Sequence, residues 1–194
     1  KYIEITLDNT IEEVTPVVVW SNGRTEEFGL TSKKEGPSYF INRYCNNLQN
    51  VILISGYTLP ARINKFFVFI SGKSSVVIPF RIRAYDLGAD GLPGKDILNQ
   101  NVIVSSYKKN RWHEVDLSDV SVSFTSNKFF IGIEWLCTDN TSPNGLSIGE
   151  DDELKTHISY VKYGQSNWKN LQGKIGKKAL NSMMKVELNL APKK

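Results

Sequence analysis

The sequence predicts an all-β fold, a two-sheet antiparallel β-sandwich of jelly-roll or galactose-binding-like form. Three observations lead there. Phe80-Arg-Ile-Arg-Ala-Tyr85 alternates strictly, with Phe80, Ile82 and Ala84 on one face and Arg81, Arg83 and Tyr85 on the other. That period of two marks a strand with one buried and one wet face. About a dozen such segments recur roughly every ten residues, punctuated by Gly, Pro, Asn and Asp, as short strands of a sandwich or barrel do. Helix start and stop signals are nearly absent, and the short acidic stretch Glu150 to Leu154 is the single helical candidate. Long strands alternate with irregular loops instead of repeating evenly, which favours the jelly roll.

Along the chain, Tyr2 to Leu7 alternates, with Ile3, Ile5 and Leu7 to one side. Val17 to Trp20 runs into Ser21-Asn22-Gly23, whose Asn-Gly pair signals a hairpin returning through Arg24 to Leu30. Tyr39 to Ile41 and Val51 to Ser55 follow, then the β-rich run Pro60 to Ser71. Ser71-Gly72-Lys73-Ser74 turns that run into Val76 to Asp86. Gly88, Asp90-Gly91, Pro93-Gly94 and Asp96 form a dense turn cluster. Val102 to Tyr107 and Trp112 to Leu117 are expected to pair through Lys108-Lys109-Asn110. Lys128 to Leu136 places Phe129, Ile131, Ile133 and Trp135 on one face, and later strands fall at Gly145 to Ile148, His157 to Tyr163 and Met183 to Leu190. No repeat, low-complexity tract or linker divides the chain, so residues 1–194 are expected to form one domain. Beginning on Lys1, it reads as a piece of a longer protein.

Composition narrows the function classes. At 194 residues, 40% hydrophobic and 23% charged, the chain is long enough to bury a core without metal or disulfide support. Lys and Arg number 24 against 20 Asp and Glu, a net charge of +4 too slight to indicate nucleic acid. No apolar run approaches the roughly 18 residues a membrane-spanning helix needs. Cys45 and Cys137 match no zinc spacing and are expected as two free, partly buried thiols, the pairing in an oxidising compartment being the alternative.

Catalytic signatures are missing. His113 and His157 are the available imidazoles, each on a strand and each expected to be structural. There is no Gly-x-Ser-x-Gly elbow and no Cys–His signature. Glu134, on the face opposite Ile133 and Trp135, is the sole carboxylate in a strongly apolar strand. An aromatic setting could raise its pKa for acid/base work in a glycoside hydrolase or lyase. Ion pairing with Arg81 or Arg83 is the favoured reading, since no second carboxylate is marked out at partner spacing. Asp86, Asp90 and Asp96, with Gly91 for the bend, could supply oxygen ligands to Ca²⁺. Their spacing is not that of an EF-hand, and a plain turn is favoured, so no cofactor is expected. The run Glu150-Asp151-Asp152-Glu153 is read as a solvated loop.

Sugar binding would need exposed aromatic platforms beside polar groups. Trp168, within Gly164-Gln-Ser-Asn-Trp-Lys-Asn170, has that setting; Trp20, beside Ser21-Asn22-Gly23, is a second candidate, and Tyr39 and Tyr44 are weaker ones. Trp112 and Trp135 sit in strand patterns and are expected in the core. For any one of these rings, packing at the rim is the more ordinary role.

Three stretches together match a known pattern: Arg81-Ile-Arg-Ala-Tyr-Asp86 with Gly91-Leu-Pro-Gly-Lys-Asp-Ile-Leu98, then Trp112-His-Glu-Val-Asp-Leu117, then Phe129-Phe-Ile-Gly-Ile-Glu-Trp-Leu136. Over about residues 60 to 137 the chain resembles the C-terminal β-sandwich domain of Bacteroidetes cell-envelope proteins known as carboxypeptidase-like regulatory-domain-containing. The resemblance implies a non-catalytic, jelly-roll-like module, periplasmic, outer-membrane-associated or extracellular, with a scaffold, adhesion or binding role. Its partner would be a glycan or another envelope protein. Peptidase residues are not part of that pattern, and the chain has no His-x-x-Glu zinc site. The resemblance carries no functional residues across.

Overall fold

The computed structural model describes residues 23–30, 47–72, 77–120, 122, 124, 126–137, 146–148, 150–151, 158–171, 174–175, 178–179 and 181–192. The expected strands at Tyr2 to Leu7, Val17 to Trp20 and Tyr39 to Ile41 lie outside them, as do Trp20, Tyr39, Tyr44, Cys45 and His157.

The described strands are β1 (Arg24–Gly29), β2 (Leu48–Ser55), β3 (Ala61–Gly72), β4 (Phe80–Leu87), β5 (Pro93–Asp96), β6 (Ile103–Val104), β7 (Arg111–Asp116) and β8 (Lys128–Trp135), followed by β9 (Leu146–Ile148), β10 (Glu150–Asp151), β11 (Ser159–Tyr163), β12 (Lys169–Asn170), β13 (Lys174–Ile175), β14 (Lys178–Ala179), β15 (Asn181–Ser182) and β16 (Met184–Leu190). A first sheet has the order β1-β16-β3-β7, with β9 also on β3; a second has the order β12-β11-β2-β8-β4-β5, with β6 also on β4. The short pairs β10–β15 and β13–β14 complete the described strands. Neighbouring strands run antiparallel in both sheets.

Alternation builds the core. Ile52 and Ile54 of β2, Phe80, Ile82 and Ala84 of β4, and Phe129, Ile131, Ile133 and Trp135 of β8 all point inward from the second sheet. They meet Phe66, Val68 and Ile70 of β3 and Met184, Val186, Leu188 and Leu190 of β16. Two sheets sharing one apolar layer make the sandwich that the sequence predicts. Each fully buried side chain of this size contributes roughly 1.5–3 kcal/mol relative to leaving it exposed.

The inward phase on β3 changes midway. Ala61 and Ile63 face in, and after a register shift opposite Glu187 and Leu188 so do Phe66, Val68 and Ile70. A one-residue bulge resets a period-two pattern in this way. Asn64 sits at the shift, hydrogen-bonding Glu187 through its side chain while its carbonyl accepts from Leu117 N–H at 2.8 Å.

Four expectations are corrected. Glu150 and Asp151 are not helical but form β10, paired with Ser182 and Asn181. Val102 to Tyr107 does not pair with Trp112 to Leu117: β6 joins β4 in the second sheet, whereas β7 joins β3 in the first. The Lys108-Lys109-Asn110 segment is therefore a crossing between sheets, pinned where Asn110 N–H donates to Ile70 carbonyl at 2.7 Å. Trp112 is not in the shared core. It projects from the outer face of the first sheet, half-buried and edge-on to Phe69 at 5.9 Å, because its neighbours His113 and Val115 take the inward positions. Cys137 is not a free thiol but disulfide-bonded, and the chain's one other cysteine is Cys45.

Candidate functional site

The outer face of the second sheet carries an unusual share of large and charged side chains. Register defines its rows. Lys162 of β11 lies opposite Gln49 of β2, which lies opposite Glu134 of β8, which lies opposite Arg81 of β4. The next row is Tyr160, Val51, Gly132 and Arg83, and the one after joins Leu53, Phe130 and Tyr85 to Asp96 of β5. Glu134, Gly132 and Phe130 of β8, Arg81 and Arg83 of β4 and Leu53 of β2 each sit between two inward-facing core residues, so the same alternation that fills the core assembles the centre of this face.

At one end is an ion cluster. Glu134 Oε2 accepts from Arg81 Nε at 3.2 Å and Nη2 at 2.9 Å, and from Arg83 Nε at 2.6 Å. Arg83 Nη1 also donates to Asp96 Oδ2 at 2.7 Å, and Arg81 Nη1 to Asn101 Oδ1 at 3.1 Å. The carboxylate is buried, with its side chain 4% exposed, while each arginine side chain retains 23%. Burial is the largest single influence on Arg83 and works against its charge, but the Glu134 hydrogen bond and the attraction of Glu134 and Asp96 together outweigh it and raise its pKa. Glu134 thus pairs with both arginines that the sequence offered it. Asp96, the carboxylate sharing Arg83, has both oxygens engaged: Oδ2 by Arg83 and Oδ1 by Leu98 N–H at 3.0 Å.

At the other end is a small apolar cluster outside the main core. Val51, Tyr85 and Phe130 are buried, with Leu53, Leu87, Tyr160 and Trp168 packed around them. The diagonal from Tyr85 to Gln49 passes Gly132, and the Tyr85 hydroxyl donates to Gln49 Oε1 at 2.6 Å. Trp168, which follows the turn after β11, closes over this cluster. Its ring meets Tyr85 edge-on at 5.5 Å, and Lys162 Nζ stands 5.6 Å from its centroid. Trp168 is therefore half-buried, packed by one edge and neither sunk in the core nor fully exposed. Trp20 and Tyr39 cannot be joined to it, since they lie outside the described residues.

The turn after β4 has other business for its carboxylates. Asp86 Oδ1 accepts from Lys95 N–H at 2.6 Å, and Asp90 Oδ1 from Leu92 N–H at 3.0 Å. Gly91 takes a φ of +78°, the left-handed bend that suits glycine. With Asp96 turned to Arg83, the three aspartates are spent separately. Among the described residues no three His, Cys, Asp or Glu side chains gather in a way that could hold a metal ion. His113 packs edge-on to Tyr107 at 5.6 Å, its Nε2 hydrogen-bonded to the Lys108 carbonyl, and burial lowers its pKa.

No protein-family model and no curated protein matches the chain. Two solved structures share its fold. A clostridial cysteine protease, Cwp84, after propeptide cleavage superposes with a TM-score of 0.60 at 10% identity, over 86% of this chain and 40% of that one. The cysteine protease and lectin-like domains of Cwp84, a surface-layer-associated protein of Clostridium difficile, give 0.55 at 10% identity, over 75% of this chain and 33% of that one. The likeness is one of fold. The chain spans less than half the length of either structure.

Sequence reasoning found Trp168, Glu134, Arg81 and Arg83 but missed Gln49, Tyr85 and Lys162 as their companions. Gln49 precedes the stretch Val51 to Ser55, and its place opposite Glu134 follows only from strand pairing across the chain. The available signal was the position of Gln49 two residues before Val51, which puts it on the same outward face.

Proposed function

We propose that the chain is a non-catalytic, extracytoplasmic β-sandwich module that binds or holds another envelope component through the outer face of its second sheet. The observation that carries this reading is that face itself, where aromatic side chains and a buried ion cluster are assembled on the side of the sheet turned away from the shared core. The Cys137 disulfide supports the compartment, because such bonds persist where the surroundings are oxidising. Against the glycoside hydrolase alternative stand Glu134 and Asp96. A two-carboxylate glycosidase needs a second carboxylate open to substrate, and both oxygens of Asp96 are engaged.

The reading extends to the Bacteroidetes carboxypeptidase-like regulatory-domain-containing proteins and to a periplasmic, outer-membrane-associated or extracellular site. In its support, the resembling stretches fall on β4, β5, β7 and β8, each an element of the two main sheets. A second reading, carbohydrate binding, is favoured by Trp168 lying on this polar face, and one of the structural neighbours has a domain called lectin-like.

Cell fractionation with thiol trapping tests the principal reading. The protein is expected in the envelope or medium, cleavable by protease added to intact or outer-membrane-permeabilised cells. Cys137 should resist alkylation until a reductant is added. A cytoplasmic protein whose Cys137 alkylates without reductant overturns the reading.

A further inference from the structure

Strand β7 closes one edge of the first sheet, paired on one side with β3 and on the other with no described strand. Its hydrogen-bonding phase is fixed by Leu117 N–H, which donates to the Asn64 carbonyl at 2.8 Å. In an antiparallel ladder, residues alternate between turning their backbone groups toward the partner strand and away from it. Arg111, His113 and Val115 share the orientation of Leu117 and bond β3, while Trp112, Glu114 and Asp116 turn their N–H and carbonyl groups outward. Among the described residues nothing meets those outward groups. The strand holds one unbroken register against β3, so neither a proline nor a bulge blunts this edge.

Charge along the edge is divided into blocks. Lys108, Lys109 and Arg111 stand at its start, and Glu114, Asp116 and Asp119 at its end. Lys108 and Arg111 are exposed, as are all three acidic residues. Lys65 reaches Glu114 at 2.7 Å, but among the described residues no carboxylate pairs with Lys108 or Arg111 and no cation with Asp119. A strand with a basic start and an acidic end complements itself when run antiparallel. We propose that β7 is a strand-addition edge whose occupant is the β7 of a second copy of this chain, the two strands pairing antiparallel about a two-fold axis at His113.

Register follows from the faces. Inward side chains must meet inward ones across a sheet, so the axis passes through a residue. An axis at Glu114 would set two carboxylates directly opposite each other, which destabilises. At His113 it sets Trp112 opposite Glu114 of the second copy, and Glu114 opposite the other Trp112. Both residues turn their backbone groups outward, so each such pair exchanges both its hydrogen bonds. Lys108 to Arg111 then runs along Val115 to Ser118 of the second copy, bringing each basic block beside an acidic one. A ladder this short buries less surface than a stable dimer needs, so association is weak, with a dissociation constant on the order of 0.1 mM. The inference goes beyond the envelope-module reading and does not depend on it, because the face invoked there belongs to the other sheet.

Sedimentation equilibrium of the whole chain, from about 10 μM to about 1 mM, tests the proposal. The protein should pass from monomer to dimer across that range, and added salt should weaken the dimer. Glu114→Pro removes an outward N–H and no bond to β3, so it should weaken the dimer about tenfold or more with the far-UV spectrum unchanged. Glu114→Ala loses the same ion pair to Lys65 but keeps the N–H, and it should associate as the wild type does. If Glu114→Pro unfolds, amide exchange of the wild type decides: the Trp112 and Glu114 N–H groups should exchange more slowly at the high concentration than at the low one. The proposal is overturned if the chain stays monomeric throughout that range, or if Glu114→Pro associates as tightly as Glu114→Ala. It is overturned equally if a dimer forms but leaves the exchange of the Trp112 and Glu114 amides unchanged.

Discussion

Gly132 shows how little of a residue's role its neighbours in sequence disclose. In Phe129-Phe-Ile-Gly-Ile-Glu it looks like a weak point in a strand, since glycine there loses entropy and packs nothing. In the fold, a Cβ at this position would collide with the Asn50 carbonyl oxygen and stand 2.6 Å from Val51 Cα, both on the adjoining strand. Backbone cannot step aside as a side chain can. Gly132→Ala should therefore cost about 3 kcal/mol, the upper range for overpacking, seen as a lower urea midpoint with unchanged slope. Tyr85 makes a second residue-scale prediction. Burial pushes its pKa up to about 12, as it does for Tyr107, and pushes Tyr57 higher still. A pKa raised in the folded state gives stability that is full below the unfolded value near 10 and is lost as pH climbs through 12. A raise of that size is worth up to roughly 2–3 kcal/mol for Tyr85. Stability measured between pH 9 and 12 should fall steeply, and in Tyr85→Phe it should fall less steeply. An equal slope in the variant would show that Tyr85 titrates alike folded and unfolded.

Elements were legible in the sequence where alternation is strict and illegible where pairing is remote. The faces of β4 and β8 can be read directly from Phe80 to Tyr85 and from Phe129 to Trp135, and with them the approach of Glu134 to Arg81 and Arg83. The partner of β6 cannot, because Val102 to Tyr107 has the same local character whether it turns back on β7 or crosses to β4. Pro93 to Asp96 reads as turn chemistry, yet long enough a turn forms its own short ladder against β4. The face shared by β2, β8, β4 and β5 gives the element-scale prediction. Glu134→Leu leaves two guanidiniums facing each other without the carboxylate between them. Removing one member of a buried pair costs 3–5 kcal/mol, and the partial exposure of both arginines puts this case near about 3 kcal/mol. Arg81→Leu should cost clearly less, because Arg83 still meets both Glu134 and Asp96. Denaturant titration of the two variants checks the order, and a larger loss for Arg81→Leu would contradict the network described.

For the whole molecule, the sandwich was legible because its main cause, one apolar layer shared by two alternating sheets, is written along every long strand. The cross-link was not. Burial of a lone cysteine and its oxidation look alike in sequence, and two cysteines so far apart can be paired only once the chain has been folded. Cys137 lies just past β8, the strand flanked by β2 and β4, and packs against the shared core. A bond anchored there ties the centre of the second sheet to a distant part of the chain, and its main effect is to restrict the unfolded ensemble. The expected gain is roughly 2–4 kcal/mol, which for a domain of this size lowers the melting temperature by about 5–15 °C on reduction. Melting with and without dithiothreitol measures it, and Cys137→Ser should reproduce the reduced value without any reductant. Because the core itself buries Phe66, Phe80, Phe129 and Trp135 completely, the reduced protein should remain folded at room temperature with its spectrum unchanged. Collapse of the reduced chain at room temperature would mean that the apolar layer alone does not hold the two sheets together.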